Sequence, residues 1–262
     1  MTVDLEKTTD FLRELLDQEA RTSLDRWSSV GTVSFKDARD FASQVDLDIE
    51  TSIKNTLRSR FPTHGLQGEE TDEENAESPY QWLIDPIDGT KWYAARSSLF
   101  SISVALLHDG EPVLGVVHLP PSGQCFSAFA GGGALLDGQP LHGSQVDELS
   151  RVIVNVDTPA THRLAPDERA WFERTFVELS RRVYRVRALG VGSLAACWLA
   201  TGALDAYIDL TGYVKPQDLA AGRIIMQESG IRLEYLSTPP GPPRLVAAPP
   251  AIWDALRGVL SR

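Results

Sequence analysis

The chain has 262 residues, of which 42% are hydrophobic, and it carries a formal net charge of −11 at pH 7. That apolar content is ample for a folded core. The negative charge argues against nucleic acid or an anionic membrane as a partner, since both would repel it. The two cysteines, Cys125 and Cys197, stand apart in the sequence and predict neither a disulfide framework nor a thiolate metal site. The N-terminal residues lack the basic start and apolar run of a signal peptide, which predicts a cytoplasmic location.

In chain order, apolar spacing first predicts amphipathic helices over residues 3–24 and 45–57. The second should end before Pro62, because proline cannot continue a helix. A short apolar run at residues 81–84 predicts a buried strand. The runs that flank Asp109-Gly110 predict a β-hairpin, since this dipeptide is typical of a tight turn. The first half is therefore predicted to contain helices followed by a mostly antiparallel sheet.

From residue 151 the pattern alternates between strands and helices, which is typical of α/β layering. The predicted order is strand 152–156, helix 166–179, strand 183–189, a helix, strand 206–210, helix 218–228, two strands and a last helix. We expect two packed lobes, a helix-and-antiparallel-sheet lobe over residues 1–150 and an α/β lobe over residues 151–262. A site is expected in the cleft between them. The uncharged stretch at residues 188–204 is short for a membrane span and is interrupted by glycines, so no membrane partner is expected.

Residues 85–90 read Asp-Pro-Ile-Asp-Gly-Thr and directly follow the predicted strand. Two carboxylates, Asp85 and Asp88, are thus delivered on a turn at the end of a strand. Mg²⁺ prefers oxygen ligands in near-octahedral geometry, which carboxylates on a fixed turn supply. A helix beginning directly after the turn would add the N–H groups of Gly89 and Thr90 as a cradle for phosphate. The hexapeptide alone is equally typical of a surface turn, because Asp, Pro and Gly are common turn formers.

Two further acidic groups accompany this segment. Glu69 lies in a Gly-Glu-Glu sequence that closes the loop before the strand, and Asp218 stands near the predicted start of a helix. An acidic residue at a helix N-terminus is ordinarily a cap, so Asp218 in isolation is typical of a structural role. In combination with Asp85 and Asp88, the two groups indicate a site for a divalent metal ion.

These segments resemble the inositol monophosphatase family, within the wider group that includes fructose-1,6-bisphosphatases, histidinol phosphatases and nucleotide 3'-phosphatases. The resemblance spans nearly the whole chain and is carried, in order, by Lys36, Asp40, Asp46, Glu50, Phe61-Pro62, Gly68-Glu69-Glu70, residues 82–90, Gly192-Ser193, residues 202–207 and residues 218–222. Its most specific part is the Asp-Pro-Ile-Asp-Gly-Thr sequence paired with Gly-Glu-Glu. The resemblance implies an α/β fold in which an α+β lobe and an α/β lobe form a layered αβαβα sandwich.

The resemblance also implies Mg²⁺-dependent hydrolysis of a small phosphate monoester, with two or three Mg²⁺ ions. A first ion would be held by Glu69, Asp85 and the carbonyl group of Ile87. A second would be held by Asp85, Asp88 and Asp218, so that Asp85 bridges the two. Such a pair suits phosphate monoesters, because one cation lowers the pKa of the attacking water and the other stabilises the leaving alkoxide.

Roles for other residues follow from the same resemblance. Thr90, hydrogen-bonded to Asp46, resembles the pair that orients the attacking water. Glu69 would bind a weaker metal ion or help to take the proton of that water, and Lys36 would lie behind the metal ligands. The phosphate and the rest of the substrate would contact Asp88, Gly89, Thr90, Gly192, Ser193 and Asp209.

The chain departs from the family at the expected substrate pocket. Lys91-Trp92-Tyr93 changes the pocket rim. Asp209 stands where inositol phosphatases carry a substrate-binding glutamate, but the loop from there to Asp218 is longer. These departures favour a substrate other than inositol phosphate. A longer loop also occurs in relatives that accept fructose bisphosphate, so that substrate stays open, as does histidinol phosphate.

Two rival functions stay open at this point. The Gly190-Val191-Gly192 segment follows a predicted strand and begins a helix, which is a truncated match to the dinucleotide-binding fingerprint and would indicate a nicotinamide oxidoreductase. A catalytically silent scaffold with the same fold is the second alternative. The family resemblance further suggests a homodimer.

Overall fold

The computed structural model describes residues 3–28, 33–35, 41–237 and 241–261, with residues 33–35, 41–43 and 163 described by their backbone alone. Lys36 and Asp40 lie outside the described residues. The role suggested for Lys36 therefore stays a prediction.

Helices occur close to where apolar periodicity predicts them. In the described part of the chain, the α-helices are α1 (Leu5–Trp27), α2 (Gln44–Arg60), α3 (Thr90–Ala94), α4 (Pro166–Arg182), α5 (Gly192–Ala200), α6 (Pro216–Glu228) and α7 (Trp253–Leu260). The Asp4 carboxylate accepts a hydrogen bond from the Lys7 N–H and caps α1. The second helix ends just before Pro62, as its sequence predicts.

Most strands belong to two sheets. Within the described ranges, the strands are β1 (Val33–Phe35), β2 (Phe41–Ser43), β3 (Gly65–Gly68), β4 (Tyr80–Asp88), β5 (Ser101–His108), β6 (Glu111–Leu119), β7 (Gln124–Phe129), β8 (Gly133–Leu136), β9 (Gln139–Pro140), β10 (Ile153–Asp157), β11 (Arg185–Arg187), β12 (Ala206–Asp209), β13 (Arg232–Leu236) and β14 (Arg244–Ala248). One sheet has seven strands in the order β3-β4-β5-β6-β7-β8-β9, and another has five in the order β11-β10-β12-β14-β13. A separate antiparallel pair joins β1 and β2.

Local signals account for much of this topology. The hairpin is confirmed, since β5 and β6 pair antiparallel around Asp109 and Gly110, whose φ angles are 51° and 84°. Apart from the parallel pair β3–β4, the seven-stranded sheet is antiparallel. The strand predicted at residues 183–189 is shorter, Arg185–Arg187. It is an edge strand, and its pairing with β10, its one partner among the described strands, covers these three residues.

The hydrophobic clusters show five stacked layers. Helices α1 and α2 pack on one face of the seven-stranded sheet. Helices α5 and α6 pack on its other face and also on the five-stranded sheet. Helices α4 and α7 cover the outer face of the five-stranded sheet. The predicted αβαβα sandwich is therefore confirmed. The boundary at residue 150 stays a prediction, since α5 and α6 contact both sheets.

Gly115 on β6 lets α6 approach the large sheet closely. A Cβ atom at this position would lie 2.7 Å from the Cα atom of Ala221 and 2.9 Å from its carbonyl oxygen. Backbone atoms cannot turn aside as a flexible side chain can, so a methyl group would push α6 outward. Because α6 carries Asp218, this contact also fixes the distance from that carboxylate to the large sheet.

We therefore expect Gly115→Ala to lower the free energy of unfolding by about 1–3 kcal/mol, the usual cost of overpacking a core. Thermal denaturation measures the effect. Gly258→Ala is the matched control, because Gly258 lies in α7 with open space around it and should tolerate a methyl group. If Gly115→Ala had the same melting temperature as the wild type, this result would contradict the close packing of α6 against β6.

Candidate metal and phosphate site

A bulge near the end of β4 brings two carboxylates to one cavity. Asp85 pairs with Ser103 and Asp88 with Ser101, so β4 has one residue more than β5 between these pairs. Residues three apart on a regular strand point to opposite faces, and the extra residue of a bulge removes that opposition. Both carboxylates accordingly line a cavity of about 580 Å³.

The predicted metal ligands meet in this cavity. Carboxylate oxygens of Glu69, Asp85 and Asp218 lie within 4.8 Å of one another. Asp88 and Ile87 line the same cavity. Asp218 is the third residue of α6, and the N-cap position belongs to Lys215, so Asp218 is not the N-cap residue of the helix. Three separate segments thus deliver the carboxylates, which we call the carboxylate cluster (Glu69, Asp85, Asp88 and Asp218).

Crowding and burial make the cluster costly to ionise. Burial raises the pKa of Asp85 well above its usual value, and the neighbouring charge of Asp88 adds to the effect. Burial and the charge of Asp218 likewise raise the pKa of Asp88. Burial, with the charge of Glu69, raises the pKa of Asp218 to about 7. A bound cation would offset this repulsion and hold the groups ionised.

The donor set fits Mg²⁺. All candidate side-chain ligands are carboxylates, which suit a hard divalent cation. Oδ1 of Asp85 is buried and has no hydrogen-bond partner among the described residues, although buried polar atoms are rarely left unpaired. The Lys215 ammonium lies 2.7 Å from Oε1 of Glu69 and forms a salt bridge with it, so Glu69 already has a positively charged partner in this structure.

Glu50 fixes the loop that carries Glu69. Its buried carboxylate accepts hydrogen bonds from the N–H groups of Glu70 and Thr71, at 2.8 and 2.9 Å. Lys54 lies 3.4 Å away and pairs with it. A Cβ atom at Gly68 would lie 2.1 Å from this carboxylate, so any other residue there would displace Glu50 from its hydrogen bonds. In the Gly-Glu-Glu sequence, Gly68 leaves room for the Glu50 carboxylate and Glu69 is a candidate metal ligand.

Ser193, at the start of α5, holds Asp88 in place. Its N–H and its hydroxyl group both donate to Oδ2 of Asp88, at 2.8 and 2.6 Å. The Ser101 hydroxyl lies 2.6 Å from that of Ser193 and continues the network. All three side chains are buried. Ser193, predicted to contact substrate, thus bonds a candidate metal ligand in this structure.

Removing that hydroxyl should impair the site. A hydrogen bond to a charged group contributes about 1.5–3 kcal/mol, so we expect Ser193→Ala to reduce kcat/KM by roughly tenfold to a hundredfold. Ser127→Ala is the matched control, because the Ser127 hydroxyl is also buried but has no hydrogen-bond partner in the part of the chain that the structure describes. Steady-state kinetics with a phosphate monoester, the substrate class that the family resemblance implies, measures both variants. Equal activity of the two would show that the Ser193 hydroxyl does not support Asp88.

The predicted hydrogen bond between Thr90 and Asp46 is present in the structure. The Thr90 hydroxyl lies 3.2 Å from Oδ1 of Asp46 and 3.1 Å from the carbonyl oxygen of Ile87. It has one proton and can donate to only one of them at a time. Gly89 adopts a φ angle of 96°, and a Cβ atom there would lie 2.8 Å from the carbonyl oxygen of Leu99. The turn before α3 therefore requires glycine.

Asp209 is not among the residues that line the cavity of the carboxylate cluster. Its Oδ1 accepts hydrogen bonds from the N–H and hydroxyl groups of Thr211 and from the N–H of Gly212. It lines a different cavity, of about 340 Å³. Of the other predicted substrate contacts, Gly89 and Thr90 line the cavity of the carboxylate cluster, whereas Gly192 lines a smaller cavity that shares Asp88 with it. The local Thr-Gly sequence after Asp209 explains this turn.

Asp157, which the sequence patterns did not single out, lines a smaller cavity of about 220 Å³ together with Asp88 and Asp218. Burial raises its pKa to about 6, although a hydrogen bond from Tyr207 lowers it in part. The available signal was its position at the end of a predicted strand of an α/β sheet, where ligands commonly bind.

Lys91 and Trp92 form part of the rim, as predicted, but the prediction was wrong for Tyr93, which is buried in the core beside the large sheet. Nε1 of Trp92 donates to the carbonyl oxygen of Leu189 at 3.1 Å, and Trp92 and Leu189 both line the 580 Å³ cavity. This bond joins the turn after β4 to the segment before α5. Gly190 also lines the cavity.

Among the described residues, no helix is both long and apolar enough to cross a membrane. The predicted homodimer and cytoplasmic location stay predictions.

Comparisons with known proteins all point to one protein family. The model of the inositol monophosphatase family matches residues 4–255. A protein of Aquifex aeolicus named fructose-1,6-bisphosphatase/inositol-1-monophosphatase is 30% identical over 227 residues, which cover 87% of this chain and 84% of that protein. Nus factor SuhB of Escherichia coli is 29% identical over 202 residues, or 75% of this chain and 72% of that protein.

Solved structures show the same fold. The crystal structure of an IMPase/NADP phosphatase complexed with Mg²⁺ and phosphate has a TM-score of 0.82 to this chain, at 22% identity. The match covers 98% of this chain and 96% of that one.

Proposed function

Because the chain belongs to the inositol monophosphatase family, we propose that it catalyses the Mg²⁺-dependent hydrolysis of a small phosphate monoester. Family membership and the names of relatives support phosphatase activity in general. The observation that carries the specific proposal is the convergence of Glu69, Asp85 and Asp218, with Asp88 beside them, on one cavity. When bound, Mg²⁺ supplies positive charge that lowers the pKa of water and stabilises the departing alkoxide.

The cluster residues would divide between two ions. We propose that Glu69, Asp85 and the Ile87 carbonyl hold one, that Asp85, Asp88 and Asp218 hold the other, and that a weaker third ion can bind near Glu69. The buried, unpartnered Oδ1 of Asp85 supports a bridging role for this residue. The Lys215 ammonium would leave Glu69 when that carboxylate binds a metal ion, because the two cations compete for the same oxygen.

Thr90 and Asp46 would orient the attacking water. If the Ile87 carbonyl is committed to a metal ion, the Thr90 hydroxyl donates to Asp46, which is buried. The hydroxyl oxygen of Thr90 is then left to accept a hydrogen bond from water. This fixes the direction of the water's lone pair towards the phosphorus, and Glu69 can take its second proton.

The substrate's phosphate would lie against the turn before α3, where Gly89 and Thr90 offer backbone N–H groups. Ser193 would act by positioning Asp88, since both its donors bond that carboxylate. Lys91, on the exposed rim, adds a positive charge on the side from which a phosphate would enter.

The test is a phosphate-release screen with Mg²⁺, and with a chelator as the control. Suitable substrates are inositol 1-phosphate, fructose 1,6-bisphosphate, histidinol phosphate, phosphoadenosine phosphate and the generic monoester p-nitrophenyl phosphate. We expect release from at least one of them, lost on chelation. Release from none would favour the scaffold alternative, which the Nus factor name of the Escherichia coli relative keeps open.

A further inference from the structure

The cavity of about 340 Å³ that Asp209 lines is separate from the cavity of the carboxylate cluster, since no described residue lines both. Strands β3, β4 and β5 of the seven-stranded sheet, strands β12, β13 and β14 of the five-stranded sheet and one face of α6 surround it. Its volume lies within the usual range of small-molecule pockets, about 300–1,000 Å³. We call it the α6 pocket, and its lining includes Gln67, Leu83, Lys215, Leu219, Arg223 and Leu245.

The α6 pocket combines apolar walls with positive charge. Leucine side chains from both sheets and from α6 form its apolar lining. Its charged lining residues are two cations, Lys215 and Arg223, and one carboxylate, Asp209. The side chains of Lys215 and Arg223 are 46% and 24% exposed, which leaves surface that a ligand can reach. A small organic anion with an apolar body fits this combination.

Two polar groups of the pocket are available to such an anion. The Arg223 guanidinium lies 3.0 Å from Oε2 of Glu111, a side chain that is 77% exposed, and 5.3 Å from the centre of the Tyr235 ring. Exposed ion pairs contribute little, so a ligand carboxylate can replace Glu111 as the partner of Arg223. The Gln67 side chain has no hydrogen-bond partner among the described residues, and its NH₂ group remains a donor.

Lys215 connects the α6 pocket to the proposed metal site. Its ammonium lies 2.7 Å from Oε1 of Glu69. Lys215 lines the α6 pocket, whereas Glu69 lines the cavity of the carboxylate cluster, so this salt bridge runs from one cavity to the other. A metal ion and the Lys215 ammonium compete for the same oxygen of Glu69. An anion in the α6 pocket offers the ammonium a second partner and therefore biases this competition towards the metal ion.

We propose that the α6 pocket binds a small organic anion with an apolar body, an aromatic or aliphatic carboxylate, and that this anion draws Lys215 away from Glu69. Glu69 is then free to ligate Mg²⁺, so the anion increases the affinity of the carboxylate cluster for the metal ion. By linkage, Mg²⁺ increases the affinity of the pocket for the anion by the same factor. The inference rests on the proposed metal site and goes beyond the phosphatase reaction, because the anion is a regulatory ligand and not a substrate.

The test is calorimetric titration of the whole protein, without substrate. The probes are Mg²⁺ alone, benzoate, hexanoate and their uncharged amides, benzamide and hexanamide. Mg²⁺ is titrated with and without each organic probe, and each organic probe with and without Mg²⁺. The variants are Lys215→Met and Arg223→Met, which remove one cation of the pocket each. Arg181→Met is the matched control, because Arg181 is exposed on α4 and does not line the pocket.

We expect benzoate or hexanoate to bind the wild type and to increase its Mg²⁺ affinity by about fivefold to tenfold, at the lower end of the usual range of coupling between sites. The uncharged amides should have no such effect. Lys215→Met should bind Mg²⁺ more tightly without any anion and should lose the coupling. Arg223→Met should weaken binding of the carboxylate by about tenfold, the scale of one hydrogen bond to a charged group. Arg181→Met should behave as the wild type.

If the wild type bound Mg²⁺ but neither carboxylate, the inference would be overturned and the proposed phosphatase function would be left intact. Coupling that persists at full strength in Lys215→Met and Arg223→Met would also overturn it, because the carboxylate would then contact the metal ions directly. A wild type that does not bind Mg²⁺ would overturn the proposed metal site and this inference with it.

Discussion

Asp88→Asn is expected to abolish phosphate release and to leave the protein folded. Ser193 donates two hydrogen bonds to Oδ2 of Asp88. An asparagine would satisfy these donors with its carbonyl oxygen, which turns its NH₂ group towards the metal site. An NH₂ group cannot ligate a cation, so one ion loses a ligand and meets a positive dipole instead. We expect kcat to fall by at least about a thousandfold, the scale on which removing a group that stabilises transition-state charge acts.

The folded state should not suffer from this change. Burial and Asp218 raise the pKa of Asp88, which means that its ionised form is costly in the metal-free protein. A neutral amide of the same size avoids that cost. Steady-state kinetics and thermal denaturation without metal measure the two effects, with Asp147→Asn, at an exposed position, as the matched control. If Asp88→Asn were nearly as active as the wild type, the role of Asp88 as a metal ligand would be wrong. If the variant failed to fold, the account of how Asp88 is buried would be contradicted.

The metal-free protein is expected to become less stable as the pH rises from about 4 to 8, and Mg²⁺ to reverse the loss. The folded-state pKa of Asp218 is about 7, against 3.8 for an ordinary aspartate. A raised carboxyl pKa contributes stability below 3.8 that is lost as the pH rises through about 7. Asp85 and Asp88 are shifted in the same direction.

The difference between 3.8 and about 7 for Asp218 corresponds to about 4 kcal/mol for one isolated group. Because the carboxylates interact, this free-energy change is distributed over the cluster. We therefore expect the melting temperature in chelator to fall by about 5 °C or more between pH 4 and 8. Differential scanning calorimetry with and without Mg²⁺ measures it. Asp218→Asn is the control that removes one shifted group and should flatten the pH dependence. A wild-type melting temperature that rises steadily to pH 8 in chelator would contradict the crowding of the cluster.

The sequence predicted those parts of the site that lie on short segments with strong local rules. The apolar run before Asp85, the proline and glycine of the turn, and the helix after Lys215 each follow from local chemistry. The acidic residues indicated a metal site in general, but the assignment of Glu69, Asp85 and Asp218 to shared ions came from resemblance to a family, since no local pattern states which distant segments approach each other. The bulge that turns Asp85 and Asp88 to one cavity depends on pairing with β5.

Long-range contacts explain what the sequence patterns missed. Ser193 and Asp88 are 105 residues apart in the sequence. From the sequence alone, Ser193 is therefore typical of a residue at the start of a helix, and its contact with Asp88 becomes visible only in the folded structure. Asp157 gains its environment from the parallel pairing of β10 with β12 and from Tyr207. Asp209 was predicted to contact substrate because it stands where inositol phosphatases carry a substrate-binding glutamate. In the structure its Oδ1 accepts hydrogen bonds from the turn that follows it, which no sequence pattern indicated, and the contact with substrate stays a prediction.

The most direct measurement of the central claim is the location of bound metal in crystals of the wild type soaked with Mn²⁺ and phosphate, by anomalous scattering. Mn²⁺ is a hard cation that also takes oxygen ligands. We expect one peak between Glu69, Asp85 and the Ile87 carbonyl oxygen and another between Asp85, Asp88 and Asp218, each about 2.1 Å from its ligands. Anomalous peaks only elsewhere on the protein, or none in this cavity, would contradict the account.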